Sequence, residues 1–179
     1  MQAYTRRRAF AAVSLAVLCA APAVVALYLY YHSALPPVQI GHKMPPLPAM
    51  SVDGQPFVRD TSNGKKSLLV FFAPGCSHCR AELTNLDELL PEFKEKLDIL
   101  GVSVDNLEST RALAAQMDLK FPVVIADHEQ LEKNLKVTII PAFFCIDEFG
   151  VLRDYYTGEH SLAVDEHLIE GFISSANVP

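Results

Sequence analysis

This chain of 179 residues predicts an α/β domain with one mixed central sheet, placed after a membrane-length N-terminal segment. Three observations carry that expectation. Short apolar runs of strand length alternate with stretches of helical period between residues 68 and 146. A pair of strands with a turn between them comes late, over 142–156. The first apolar run, Leu68-Leu69-Val70-Phe71-Phe72-Ala73, stops at Pro74-Gly75 and is followed at once by Cys76-Ser77-His78-Cys79. Alternating strands and helices build parallel strands covered on both faces, and a late hairpin adds antiparallel ones, so a three-layer sandwich follows.

Residues 9–31 contain no charge, and about 23 residues at 1.5 Å each reach roughly 34 Å, enough to cross a bilayer's hydrocarbon core. Arg6, Arg7 and Arg8 precede this stretch, and no acidic residue occurs before Asp53. The positive-inside tendency therefore predicts a cytoplasmic basic leader at 1–8 and a single-pass anchor, or uncleaved signal, at 9–31 in the inner (cytoplasmic) membrane. The catalytic domain would then face the periplasm. Tyr28, Tyr30 and Tyr31 fall where an outer aromatic belt would lie. The competing expectation is a cleaved signal peptide, since Ala21-Pro22-Ala23 offers small-residue sites. Cys19 follows Leu18 rather than a small residue and reads as an apolar helix residue, not a lipid anchor. Residues 32–48 hold Pro36, Pro37, Pro45, Pro46 and Pro48 and read as a stiff linker to a domain at 49–179. Without the leader arginines, 12 of the 15 basic residues face 21 acidic ones, which makes nucleic acid an unsuitable partner.

Along the domain, Asp53-Gly54 between apolar residues predicts a hairpin over 50–59. A strand at 68–73 leads into a helix from Ser77 with Leu83, Leu86, Leu90, Phe93 and Leu97 near one face, which Pro91 should kink or split. Then follow a strand at 98–104, a helix at 107–119, a strand at 121–126 and a short helix at 129–135. Strands at 142–146 and 151–156, turned at Glu148-Phe149-Gly150, and an amphipathic helix at 163–174 complete the order.

Cys76 and Cys79 are spaced to meet at the first turn of the helix that Ser77 opens. Unsatisfied N–H groups and the positive end of the helix dipole favour a thiolate there, lowering a cysteine pKa from about 8.5 into a range of roughly 3.5–7.5. This predicts dithiol–disulfide exchange, with Cys76 as nucleophile and Cys79 as the resolving thiol. Half a zinc site would use the same spacing, but Cys19 and Cys145 do not supply the second pair, so no metal and no cofactor are expected. His78, between the thiols, would stabilise the Cys76 thiolate. Cys145 reads as core packing, and His128, His160 and His167 show no ligand spacing and read as surface residues.

The element order, Cys76-Ser77-His78-Cys79 after a strand, and Ile139-Ile140-Pro141 before another resemble the thioredoxin fold. Ile40-Gly41 with Asp53-Gly54, Cys79-Arg80-Ala81-Glu82, and Pro141 through Ile146-Asp147-Glu148-Phe149-Gly150 are similar to its membrane-anchored, periplasm-facing branch, which includes thioredoxin-like protein A, ResA and the cytochrome c maturation thioredoxins. The resemblance covers roughly 40–172. It implies a thioredoxin-like three-layer sandwich, a cis-proline at Pro141 opposite the dithiol, and a Glu82 carboxylate that handles the Cys79 proton. It further implies that Ile140, Pro74 and Gly75 meet the substrate. The implied partners are exported protein thiols or disulfides and a membrane or periplasmic redox partner, with cytochrome c or metalloprotein maturation as the setting. Several positions depart from the family pattern. Gly75 replaces the aromatic residue before the first cysteine, Val70 stands where cytosolic thioredoxins bury an aspartate, and Thr84 replaces a proline. A Cu(I) chaperone using Cys76, Cys79 and His78 is the competing function class, since soft thiolates favour that ion. A thiol peroxidase fits less well, because Leu69 and Ala73 stand where a peroxiredoxin carries Pro and Thr or Ser.

Overall fold

A computed structural model describes residues 39–59, 64–127, 129 and 131–175. The predicted anchor at 9–31 and His128 lie outside the described residues, and among the described residues no helix is long and apolar enough to cross a membrane. Among the described residues seven strands form one sheet: β1 (Leu47–Ser51), β2 (Pro56–Arg59), β3 (Lys66–Phe72), β4 (Leu97–Ser103), β5 (Val123–Ala126), β6 (Ala142–Ile146) and β7 (Leu152–Thr157). Their order across the sheet is β2-β1-β5-β4-β3-β6-β7. β3, β4 and β5 run parallel, and every other pairing is antiparallel, so the sheet is mixed as predicted.

The apolar run at 68–72 becomes an interior strand, between β4 and β6, because both of its faces find cover. Leu68, Val70 and Phe72 pack under the helices with Leu83, Leu86, Leu113, Ile169 and Phe172. Leu69 and Phe71 pack on the opposite face with Leu100, Val102, Phe144 and Leu131. Among the described residues the long helices are α1 (Ser77–Phe93), α2 (Leu107–Met117) and α3 (Leu162–Ser174). From β3 through α1 to β4, and from β4 through α2 to β5, the chain steps the same way across the sheet. Right-handed crossovers then put α1 and α2 on one face. The other face is covered by residues 44–47 and a single π-helical turn, Leu131–Leu135, where a short helix was expected.

Pro91 does not split α1, which runs on to Phe93: the proline sits in the last turn, where it removes one backbone donor and little helix remains beyond it. Leu97, placed on that helix by its period, instead opens β4 beside Lys66 of β3. The hairpin turns at Gly54, whose φ of 82° favours glycine, but its first strand starts at Leu47 and takes in Pro48. Gly41 N–H donates to Leu152 O at 2.7 Å and Met44 N–H to Gly150 O at 2.9 Å, so the proline-bearing stretch is fastened to the sheet from residue 41.

Two polar anchors hold the ends of elements on the side of the sheet where β3 begins and β6 ends. Lys66 Nζ donates to the carbonyls of Phe172, Ile173 and Ser175 at 2.9, 3.0 and 2.9 Å, satisfying the C-terminal end of α3. Asp147, fully buried, accepts from the backbone N–H groups of Phe149 and Val151 at 2.9 Å each and from Arg153 Nε at 2.6 Å. That carboxylate shapes the turn between β6 and β7 where Glu148-Phe149-Gly150 predicts one.

Candidate active site

The loop after β3 delivers two sulfurs to the start of α1. Cys76 N–H donates to Ala73 O at 3.0 Å, closing the Pro74-Gly75 turn, and Cys76 becomes the N-cap with φ −87° and ψ 114°. Its Sγ accepts from Cys79 N–H at 3.1 Å, so one of the helix's free donors already points at the sulfur. The two cysteines form a disulfide with their Cα atoms 5.2 Å apart. Cys79 is fully buried and Cys76 half-buried, which leaves one sulfur open to a partner. The first turn of α1 carries no acidic side chain that would oppose negative charge there.

The Ile140–Pro141 peptide is cis, and β6 begins immediately after it. Gly158 N–H donates to Pro141 O at 2.9 Å and ties the loop after β7 to this corner. Between His78, Ile140, Pro141 and loop 158–161 lies an open groove. Ile140 is half-buried at its edge, whereas Pro141 is buried. Pro74, expected at the contact surface, is buried as well, and its carbonyl accepts from Arg80 Nε at 3.0 Å. Of the pair before the dithiol, Gly75 alone is exposed. His78 is exposed and its Nδ1 pairs with Glu159 Oε2 across the groove.

Glu82 lies one turn beyond Cys79 on the same face of α1 and is fully buried. Its Oε1 accepts the His160 backbone N–H, and a carboxylate oxygen of Asp165 lies within 4.8 Å of its carboxylate. Burial pushes the Glu82 carboxyl up to about 8, against the pull of the His160 N–H and with help from the charges of Asp165 and Glu159. Cys145, on β6, is a buried free thiol whose pKa is pushed up to about 12 by burial and by Asp154, so it stays protonated and inert.

His160 is not a simple surface residue. Its ring lies edge-on to Tyr156 at 5.5 Å, and its Nδ1 is 3.6 Å from Asp165 Oδ1 and 4.0 Å from Glu82 Oε1. Glu159, His160 and Asp165 were missed in the sequence because they reach the site only through the packing of α3 on α1. One signal was present: Asp165, Ile169 and Phe172 recur at i, i+4 and i+7 on the buried stripe of α3, and an aspartate on such a stripe needs a partner. Among the described residues, ligand atoms of Glu82, His160 and Asp165 lie within 4.8 Å of one another and form a largely buried cluster.

The raised Glu82 pKa has a sign that can be checked. Between the ordinary carboxyl pKa of 4.5 and about 8 the folded chain holds a proton that the unfolded chain has released, so stability is full at low pH and falls as pH rises through that window. Glu82→Gln is expected to flatten this slope, read as urea midpoints at about pH 5 and about pH 8.

A half-open, helix-capping cysteine bridged to a buried one after β3, with a cis-proline at the head of the neighbouring strand β6 of a mixed sheet, defines a thiol–disulfide oxidoreductase with a thioredoxin-like fold. The AhpC/TSA family pattern matches residues 40–155, and the chain belongs to that family. Thioredoxin-like protein YneN of Bacillus subtilis (strain 168) is 30% identical over 136 residues, which cover 74% of this chain and 79% of that protein. Thiol-disulfide oxidoreductase ResA of Bacillus cereus is 28% identical over 169 residues, 93% of this chain and 95% of that one. Among solved structures, a thioredoxin-family thiol:disulfide interchange protein from Chlorobium tepidum TLS superposes with a TM-score of 0.62 at 23% identity, covering 74% of this chain and 99% of that one. StoA from Bacillus subtilis gives 0.58 at 18% identity, covering 70% and 96%. Both share the fold.

Proposed function

We propose that this oxidoreductase is anchored through residues 9–31 in the inner membrane, faces the periplasm, and exchanges the Cys76–Cys79 bridge with exported proteins during cytochrome c or metalloprotein maturation. The observation that carries the exchange chemistry is the asymmetry of the two sulfurs: Cys76 is half-open at the helix cap while Cys79 is buried behind it. The charge-free stretch after Arg6, Arg7 and Arg8 supports the anchor and its orientation.

In the direction that reduces a substrate, the Cys76 thiolate attacks a substrate disulfide, forms one S–S bond and releases one substrate thiolate. The Cys79 thiol then gives its proton to the Glu82 carboxylate. Its sulfur bonds to Cys76 as the Cys76–substrate bond breaks, and the second substrate thiolate leaves and takes a proton from water. Reversing the steps oxidises a substrate dithiol. The Ile140 backbone would pair with an extended substrate segment in the groove beside Pro141, in the manner of strand addition. His78, held by Glu159, would sit over that segment and tune the Cys76 thiolate.

The test is capture in membranes with the full-length Cys79→Ser chain, whose mixed disulfides have no resolving thiol. Exported proteins bound through Cys76 and released by reductant are the expected result. Membranes without such adducts would refute the assignment to exported proteins.

A further inference from the structure

The buried acid one turn beyond Cys79 is not alone. Glu82 Oε2 and Asp165 Oδ1 are buried, and neither has a hydrogen-bond donor when both groups are ionised. A proton held on the Glu82 carboxyl, which burial favours, would supply the missing donor. Asn85 Nδ2 donates to Asp165 Oδ2 at 2.9 Å and to His160 O at 3.3 Å, fixing the carboxyl so that Oδ1 stays free. His160 Nδ1 also lacks a hydrogen-bond partner, 3.6 Å from that Oδ1. Glu82 is 0% exposed and Asp165 1%, but the His160 side chain is 22% exposed and borders the groove beside Pro141.

We infer that Asp165 and His160 form the proton path of the active site: Asp165 shares one proton with Glu82, and the His160 imidazole exchanges it with water at the groove. This rests on the reading that Glu82 takes the Cys79 proton. As the Cys79 sulfur closes the bridge, its proton moves to Glu82, then through Asp165 to His160 and out, and opening the bridge runs the transfer backwards. The ionisable groups around Glu82 are Cys79 on α1, Asp165 on α3, Tyr156 on β7, and Glu159 and His160 in the loop between. His160 is the one of this carboxyl–imidazole set that meets both the acid and the groove. Asp165 and His160 are positioning residues in this scheme, since neither touches the reacting sulfurs.

The experiment uses the reduced full-length chain and dithiobis(nitrobenzoate). Cys76 captures one thionitrobenzoate, and the slower second release reports Cys79 closing the bridge. H160Q, which keeps the backbone N–H that holds Glu82, is expected to slow the second release at least ~10-fold, with imidazole in the buffer restoring it. D165N is expected to slow the same phase and move its acidic inflection to lower pH, because the like charge that raises Glu82 is gone. The wild-type phase should slow in D2O. If E82Q slows the second release while H160Q and D165N leave its rate and pH profile unchanged, the path is wrong and the Glu82 role stands. An E82Q chain of wild-type rate overturns both. Slowing by H160Q that imidazole does not relieve marks a packing role, and loss of the fast phase with EDTA marks a bound cation; either overturns the path. If H160Q fails to fold, D165N and the D2O measurement decide alone.

Discussion

Replacing Cys76 by serine is expected to lower disulfide exchange by roughly a thousandfold or more, which corresponds to about 4 kcal/mol of transition-state stabilisation. A serine hydroxyl at the cap can still accept the Cys79 N–H, so helix α1 should keep its start, but it is not ionised near neutral pH and forms no S–S bond. The neighbouring sulfur offers little substitute, because Cys79 is fully buried and cannot meet a protein disulfide without displacing its cover. Cys79→Ser should behave differently, keeping the first capture step and losing release. Insulin-disulfide reduction, followed with burst kinetics of aromatic disulfide cleavage, separates the two. A Cys76→Ser chain that retains the first burst would reverse the assigned roles.

Asp147→Ala is expected to destabilise the fold by about 2–4 kcal/mol, since each buried donor left without its acceptor costs roughly 1–3 kcal/mol. The side chain is fully buried, and its loss leaves two backbone donors of the β6–β7 turn and the Arg153 guanidinium without their acceptor. Burial alone would raise this carboxyl's pKa, but the Val151 N–H, Arg153 and the Phe149 N–H together outweigh it and hold the pKa below the ordinary value of 3.8. Its contribution is therefore full above the unfolded pKa and is lost as pH falls through the lower folded value. Asp147→Asn, which keeps an acceptor oxygen, should lose less. Urea midpoints at about pH 7 and about pH 3 check both statements, and a variant as stable as wild type at neutral pH would show that the turn is held by other contacts.

Where local chemistry decides, the sequence was a sufficient guide. Leu68 to Phe72 could only be a strand covered on both faces, Cys76 only a cap before Ser77, and Asp53-Gly54 only a tight turn. Pro141 was placed by resemblance, and the structure puts it at the head of β6. Boundaries failed where two signals competed. Leu97 keeps the helical period of α1 but pairs with Lys66 once β4 forms, and Pro48 reads as linker until β2 and β5 pair with its strand. The largest omission was Asp165 and His160 beside Glu82. No spacing along the chain connects them, since the contacts exist only after α3 docks on α1, and a buried aspartate on the apolar stripe was the one local hint.

The bridge at the start of α1 encloses only Ser77 and His78, and a ring that small restrains the disordered chain weakly, by about 2 kcal/mol in the chain-entropy description, against about 4.7 for a loop of 100 residues. Opening it in every turnover thus leaves the scaffold intact, because Leu68, Phe71, Phe143 and their neighbours on both sides of the sheet hold it together without the crosslink. Electron storage and architectural integrity reside in separate parts of the molecule, so repeated cycling of the bond needs no refolding.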